Sequence, residues 1–289
     1  MKIIYRTDAM ARKLLLIYQL FSSRSINGLK SYSQFFGKDF FIAAQIHNEV
    51  FSNLNRTDSQ KLRLAMLYKE PIKDRSLLER KENATRLLQN LKIPLLKETD
   101  LLFKKLEKEI DVSIKVYENK INTWFYKIFG FNLPKKVTMI LAENYNSNSS
   151  AASFLTNNPI ILGNIINENY KSANEIIDVL QHELLHSLIF RQNSLKLKEN
   201  NNFEEALLDY FAPFGMLSSK VGLIDNYNLE KQWKKANSLR PYASNESNEL
   251  LPVMKRYQKV CGRMTIWNFL YKNGFKNYIN QKVNYAFTK

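Results

Sequence analysis

Two of the three histidines in this 289-residue chain lie four positions apart, in the stretch VLQHELLHSLIF at 179–190. Positions i and i+4 of a helix share one face, so a helix here would present His182 and His186 on the same side. Two such imidazoles can ligate one zinc ion through their ring nitrogens. Glu183 would lie about 100° around the helix, where its carboxylate can take a proton from a water molecule whose pKa the ion lowers. This is the HExxH arrangement, and it predicts Zn²⁺ as the cofactor.

The flanking residues favour a helix over about residues 173–191. Ser172 and Glu175 form a capping-box pattern at its start, and apolar residues follow at helical spacing without proline or glycine. Within 179–190, Glu183 is the only formally charged residue. A lone buried carboxylate is costly unless a partner compensates it, so its presence here favours a functional site over a purely structural helix.

A third metal ligand cannot be another histidine downstream, because no histidine follows His186. One class of zinc peptidases continues the motif into a glycine turn and a third histidine. This chain has Ile189 and Gln192 at those positions, which excludes that class.

Carboxylates follow instead, in the stretch NNFEEALLDYF at 201–211. Glu205 could serve as a ligand, since a carboxylate oxygen binds zinc as competently as a histidine nitrogen does. Asp209 follows one turn later, where a carboxylate can orient a ligating histidine through its other ring nitrogen.

The combined pattern resembles the gluzincin metallopeptidases, which include the thermolysin-like enzymes, over roughly residues 136–219. The resemblance implies peptide-bond hydrolysis, with the activating base at Glu183 and a supporting carboxylate at Asp209. It implies three zinc ligands: His182, His186 and Glu205.

The chain departs from the gluzincin pattern in several places. Ala206 replaces a frequent glycine, and no later histidine is present to stabilise an oxyanion. A tyrosine or arginine must then do so, and Tyr257 and Tyr242 are the candidates. No aminopeptidase exopeptidase motif is present, so we expect an endopeptidase acting on protein or peptide substrates.

Between the adjacent Glu204 and Glu205, the resemblance implies Glu205 as the ligand, because Glu205 has the gluzincin spacing from His186. Neighbouring helix positions point about 100° apart, so only one of the two carboxylates is expected to face the metal. Glu205 also has Asp209 one turn below it. Glu204 is therefore expected nearer the solvent.

The sequence predicts a mostly α-helical fold with a small β-sheet (α+β), containing a zincin-like core between helical regions. Residues 1–130 are predicted to be a basic helical region that covers or regulates the site, and residues 131–289 the catalytic domain. The predicted elements of that domain are strands within about 136–163, with candidates at 152–155 and 160–162 and a turn at 157–159; the active-site helix, about 173–191; the third-ligand helix, about 202–218; and a helical C-terminal part.

The net charge of +16 is uneven, because residues 1–130 hold 24 basic and 14 acidic residues. The alternative interpretation is therefore a non-catalytic basic helical protein, either associated with nucleic acid or a degenerate zinc scaffold. Interspersed acidic residues argue against a nucleic-acid surface. No apolar run is long enough for a transmembrane segment. The single cysteine, Cys261, suits a reducing compartment and a cytoplasmic location.

Overall fold

The chain is mostly α-helical with a small β-sheet, which confirms the predicted fold class. A computed structural model describes residues 1–22, 36–52, 54–69, 71–93, 99–141, 162–163, 165–166, 169–170, 172–192, 194–196 and 201–280.

The regular elements of the described residues are short strands and helices of very different length. The strands are β1 (Lys2–Arg6), β2 (Lys136–Leu141), β3 (Leu162–Gly163), β4 (Ile165–Ile166) and β5 (Asn169–Tyr170). The α-helices are α1 (Ala9–Ser22), α2 (Phe40–Val50), α3 (Arg56–Tyr68), α4 (Arg75–Asn90), α5 (Asp100–Phe129), α6 (Ala173–Gln192), α7 (Asn201–Asp209), α8 (Met216–Val221), α9 (Leu229–Leu239), α10 (Ser244–Val260) and α11 (Ile266–Leu270). None of these helices combines the length and apolar character needed to cross a bilayer.

The main sheet has the strand order β1-β2-β3, with both pairings parallel. In the first pairing Lys2 lies opposite Lys136 and Arg6 opposite Ile140. Strand β1 lies in the region predicted to be mostly helical. Its five residues are too few to show a clear alternation of apolar and polar side chains. Its partner lies more than 130 residues further along the chain, so local periodicity does not reveal the pairing.

The strand candidate at 152–155 and the turn at 157–159 lie outside the described residues. Of the candidate at 160–162, only Leu162 is described, and it begins β3. Strands β4 and β5 pair antiparallel in a separate two-stranded sheet.

Helix α6 starts at the predicted capping box. The Ser172 amide donates to Glu175 Oε2 at 2.9 Å, and the Glu175 amide donates to Ser172 Oγ at 3.3 Å. Two of the otherwise unpaired amides at the helix start are thereby satisfied. The helix runs over Ala173–Gln192, and its middle is buried, so the polar residues of the middle face other parts of the protein rather than solvent.

The helix predicted over 202–218 is two helices. Helix α7 ends at Asp209 and α8 begins at Met216, and we call residues 210–215 between them the elbow. Pro213 in the elbow has no amide proton to continue a helix. At Gly215, a Cβ atom would lie 2.5 Å from the Phe211 carbonyl carbon, so only glycine fits there.

Two hydrophobic cores lie on opposite faces of β2. Val137, Met139 and Leu141 face the large core, which β1, α5 and the elements from α6 to α11 surround. Ile140 faces the small core, which α1 to α4 form. Because β1 and α5 belong to the large core, the division between the cores does not coincide with the predicted domain boundary at residue 130.

Candidate metal centre

Helix α6 brings the two imidazoles together, as their four-residue spacing requires. The Nε2 atoms of His182 and His186 lie 3.1 Å apart. His182 is 3% exposed, whereas the His186 side chain is 13% exposed. The pair therefore lies at the edge of the core, where a small ligand can reach His186.

Glu205, on α7, completes the group. Its Oε2 lies 3.5 Å from His182 Nε2, and its Oε1 lies 3.4 Å from His186 Nε2. Ligand atoms placed tetrahedrally at zinc–nitrogen distances are about 3.3 Å apart. The ligand atoms of His182, His186 and Glu205 thus already have nearly the mutual separation of a tetrahedral metal site, and all lie within 4.8 Å of one another.

The other ring nitrogen of each histidine is fixed by an acceptor. His182 Nδ1 donates to the carbonyl oxygen of Ala212 at 2.6 Å, and His186 Nδ1 donates to Glu204 Oε1 at 2.7 Å. A carbonyl oxygen only accepts, so Nδ1 of His182 carries the proton. In the neutral imidazoles, the Nε2 lone pairs are then directed at each other and at Glu205. A shared cation would stabilise this arrangement.

The electrostatics favour positive charge at this point. Burial by itself lowers the pKa of His186, but its hydrogen bonds with Glu204 and Glu205 hold that pKa well above the ordinary value. Burial acts to raise the pKa of Glu205, but the two imidazoles hold it well below the ordinary value. Oε2 of Glu205 is a buried atom without a hydrogen bond of good geometry among the described residues. The donor set therefore fits a divalent cation.

Glu183 follows His182 on α6 and is 7% exposed. Burial raises the pKa of its carboxyl group, and Glu205 raises it further, while His182, His186 and Arg240 oppose the shift. The charges of the candidate site thus act on Glu183, as expected of a carboxylate beside a metal-binding group.

Glu204 differs from its expected position near solvent, because it is only 6% exposed and binds His186. The two nitrogens of one imidazole point in different directions. Nδ1 of His186 can therefore meet Glu204 while Nε2 meets Glu205, even though the two glutamates point about 100° apart on their helix. The sequence placed Glu204 next to the ligand but did not reveal this contact.

Asp209 is buried in the same region but contacts no ring nitrogen of either histidine in the described structure. Its Oδ1 accepts a hydrogen bond from the guanidinium of Arg240, whose Nε also lies 3.3 Å from Glu205 Oε2. The Nδ1 atoms of the two histidines instead contact the Ala212 carbonyl and Glu204. Arg240 lies beyond the end of α9, and no sequence pattern had marked it.

The two tyrosines suggested as oxyanion donors lie in different environments. Tyr257 is fully buried, and its hydroxyl donates to the Met264 carbonyl at 3.0 Å. Tyr242 is 59% exposed. Burial raises its pKa and Glu205 raises it further, while Arg240 opposes the shift. Of these two tyrosines, Tyr242 is therefore the accessible one, and the charge of Glu205 acts on it.

No protein-family model matches the chain, and no curated protein or solved structure matches it significantly. The residues and geometry of the chain itself are therefore what support a functional site.

Proposed function

We propose that the protein is a zinc-dependent metallopeptidase of the gluzincin type that cleaves peptide bonds within protein or peptide substrates. The observation that carries this proposal is the convergence of His182, His186 and Glu205, at separations of 3.1 to 3.5 Å between their ligand atoms. Histidine nitrogens with one carboxylate oxygen are a set of protein ligands found in catalytic zinc sites. Zinc, when bound, supplies a Lewis acid and lowers the pKa of water towards 7.

The residues of the chain then have distinct roles in hydrolysis. Glu183 accepts a proton from the attacking water and later delivers a proton to the leaving amine. Glu204 and the Ala212 carbonyl hold the histidine rings in the tautomer that leaves Nε2 free. Tyr242, which is exposed whereas Tyr257 is buried, would donate a hydrogen bond to the developing oxyanion.

The proposal is tested by metal content and hydrolysis measured on the same preparation. We expect about one zinc per chain and cleavage of an unfolded protein such as casein. Glu183→Gln should keep zinc but reduce the hydrolysis rate by about 10²–10⁴-fold, because it removes the proton acceptor with little change of shape. Glu249→Gln, an exposed glutamate of α10, is the matched control and should keep full activity.

Three results would contradict the proposal in different ways. Absence of zinc binding would exclude the proposed zinc site and, with it, the proposed activity. Zinc binding without hydrolysis of any peptide substrate favours the alternative, a zinc scaffold without catalysis. Undiminished hydrolysis in Glu183→Gln excludes Glu183 as the base.

A further inference from the structure

The elbow carries one of the contacts on which the metal-binding geometry depends. The carbonyl of Ala212 accepts the Nδ1 proton of His182 at 2.6 Å. Because that contact fixes both the tautomer and the ring orientation, a displaced elbow would also displace the Nε2 atom that faces Glu205. The position of a backbone segment thus sets the position of a metal ligand.

Asp178 is the residue that binds the elbow to the histidine helix. Its Oδ2 accepts from the Phe214 amide at 2.7 Å, and its Oδ1 accepts from the hydroxyl of Ser218 at the start of α8. Asp178 is 1% exposed and lies one helical turn before His182, so both side chains reach the elbow from the same helix face. Asp178 thereby binds both the elbow, at Phe214, and the start of α8, at Ser218, to α6.

Other residues support the elbow from α9. Gln232 Nε2 donates to the carbonyls of Asp209 and Pro213, both at 2.9 Å. The Lys235 ammonium lies 3.8 Å from the centroid of the Phe214 ring. Phe214 has a φ of 63°, a left-handed conformation that a bulky residue adopts only when its surroundings hold it there. These contacts come from another helix, whereas Asp178 binds the elbow from the helix that bears the histidines.

We infer that Asp178 is a positioning residue for the metal centre: through Phe214 and Ser218 it holds the Ala212 carbonyl against His182. This inference rests on the proposed zinc site and adds a residue outside the metal-binding group. Without the Asp178 carboxylate, the elbow and the start of α8 each lose a hydrogen bond to α6, and His182 loses the fixed partner that selects its tautomer. The expected loss of metal affinity is about 10–100-fold, the size typical of residues that orient a metal ligand.

The experiment compares zinc affinity, by chelator competition, and the visible spectrum of the Co²⁺-substituted protein in four variants. Asp178→Ala should bind zinc about 10–100-fold more weakly and change the Co²⁺ spectrum. Asp178→Asn should restore much of the affinity, because its amide oxygen still accepts from Phe214 and its NH₂ can donate to the Ser218 hydroxyl. Ser218→Ala should give an intermediate loss, since it removes one of the two hydrogen bonds.

The fourth variant is the matched control. Ser59→Ala removes a buried hydroxyl that donates to Val50 in the small core, so it lowers thermal stability without touching the elbow. If Asp178→Ala and Ser218→Ala lower only the thermal stability, as Ser59→Ala does, with zinc affinity and Co²⁺ spectrum unchanged, the inference is wrong. Failure of the wild type to bind zinc overturns the proposed function as well, and so is distinguishable from that result.

Discussion

The large and small cores differ in the polar groups that they bury. Among the described residues of α1 to α4, the buried polar side chains are Arg12 and Ser59, and both have partners. The large core and its margin bury several acidic and imidazole side chains: Asp178, His182, Glu183, Glu204 and Asp209. Burying charge costs stability unless it is compensated, and among the described residues this cost is concentrated in the large core, where the candidate site lies.

The largest effect on stability should come from a cavity-forming substitution in the small core. Leu16 on α1 is fully buried, and Leu16→Ala should lower the free energy of unfolding by about 2–5 kcal/mol, through lost apolar contact and the cavity left behind. Zinc affinity, measured under conditions where the variant remains folded, should not change. A comparable loss of zinc affinity would show that the two cores are one coupled unit.

The next largest effect should be a pH dependence of stability that arises from a buried carboxyl group of the large core, Asp178. Burial raises the pKa of Asp178 to about 6, against hydrogen bonds from Ser218 and Phe214 and the charges of His182 and Lys235. The folded metal-free protein therefore prefers the protonated carboxyl. The preference adds on the order of 3 kcal/mol to the free energy of unfolding at low pH. This stabilisation is fully present below about pH 4 and is lost as the pH rises through 6.

The measurement for this prediction is chemical denaturation of the metal-free wild type and Asp178→Asn at intervals between pH 4 and 7. As the pH rises, the free energy of unfolding of the wild type should fall steadily relative to that of Asp178→Asn. A constant difference would mean that the pKa of Asp178 is not raised in the folded state.

Zinc itself should act on one region only. At a free zinc concentration 100 times the dissociation constant, binding stabilises the folded state by about 2.7 kcal/mol. Amide hydrogen exchange should become slower in α6 and α7, which carry the ligands. Exchange by local opening in α1 to α4 should change little, and equal protection of both regions would contradict the separation of the cores.

The smallest effect should be the difference in zinc affinity between variants of the two adjacent glutamates. Glu205→Gln should weaken zinc binding more than Glu204→Gln, since Glu205 faces both Nε2 atoms while Glu204 orients His186. We expect about a 10–100-fold loss for Glu204→Gln and a greater loss for Glu205→Gln. Chelator competition on both variants measures this order, and the reverse order would make Glu204 the ligand.

What the sequence could predict follows from the range of the interactions. The shared face of His182 and His186, and the capping box at the start of α6, are local properties of one helix. The contact of Arg240 with Asp209 depends on how the segment after α9 returns to α7, which no spacing encodes. The same limit explains why the burial of Glu204 was missed: it depends on how α7 packs against α6.

The pairing of β1 with β2 also sets an order of events during synthesis. Strand β1 leaves the ribosome more than 130 residues before its partner. At about 5–20 residues per second, it remains unpaired for roughly 7–26 s. Ile140, which closes the small core, is made in the same late strand. The first helices therefore await β2 for completion of the small core, and a nascent chain stalled before residue 136 should depend on chaperones to keep its exposed apolar surface from aggregating.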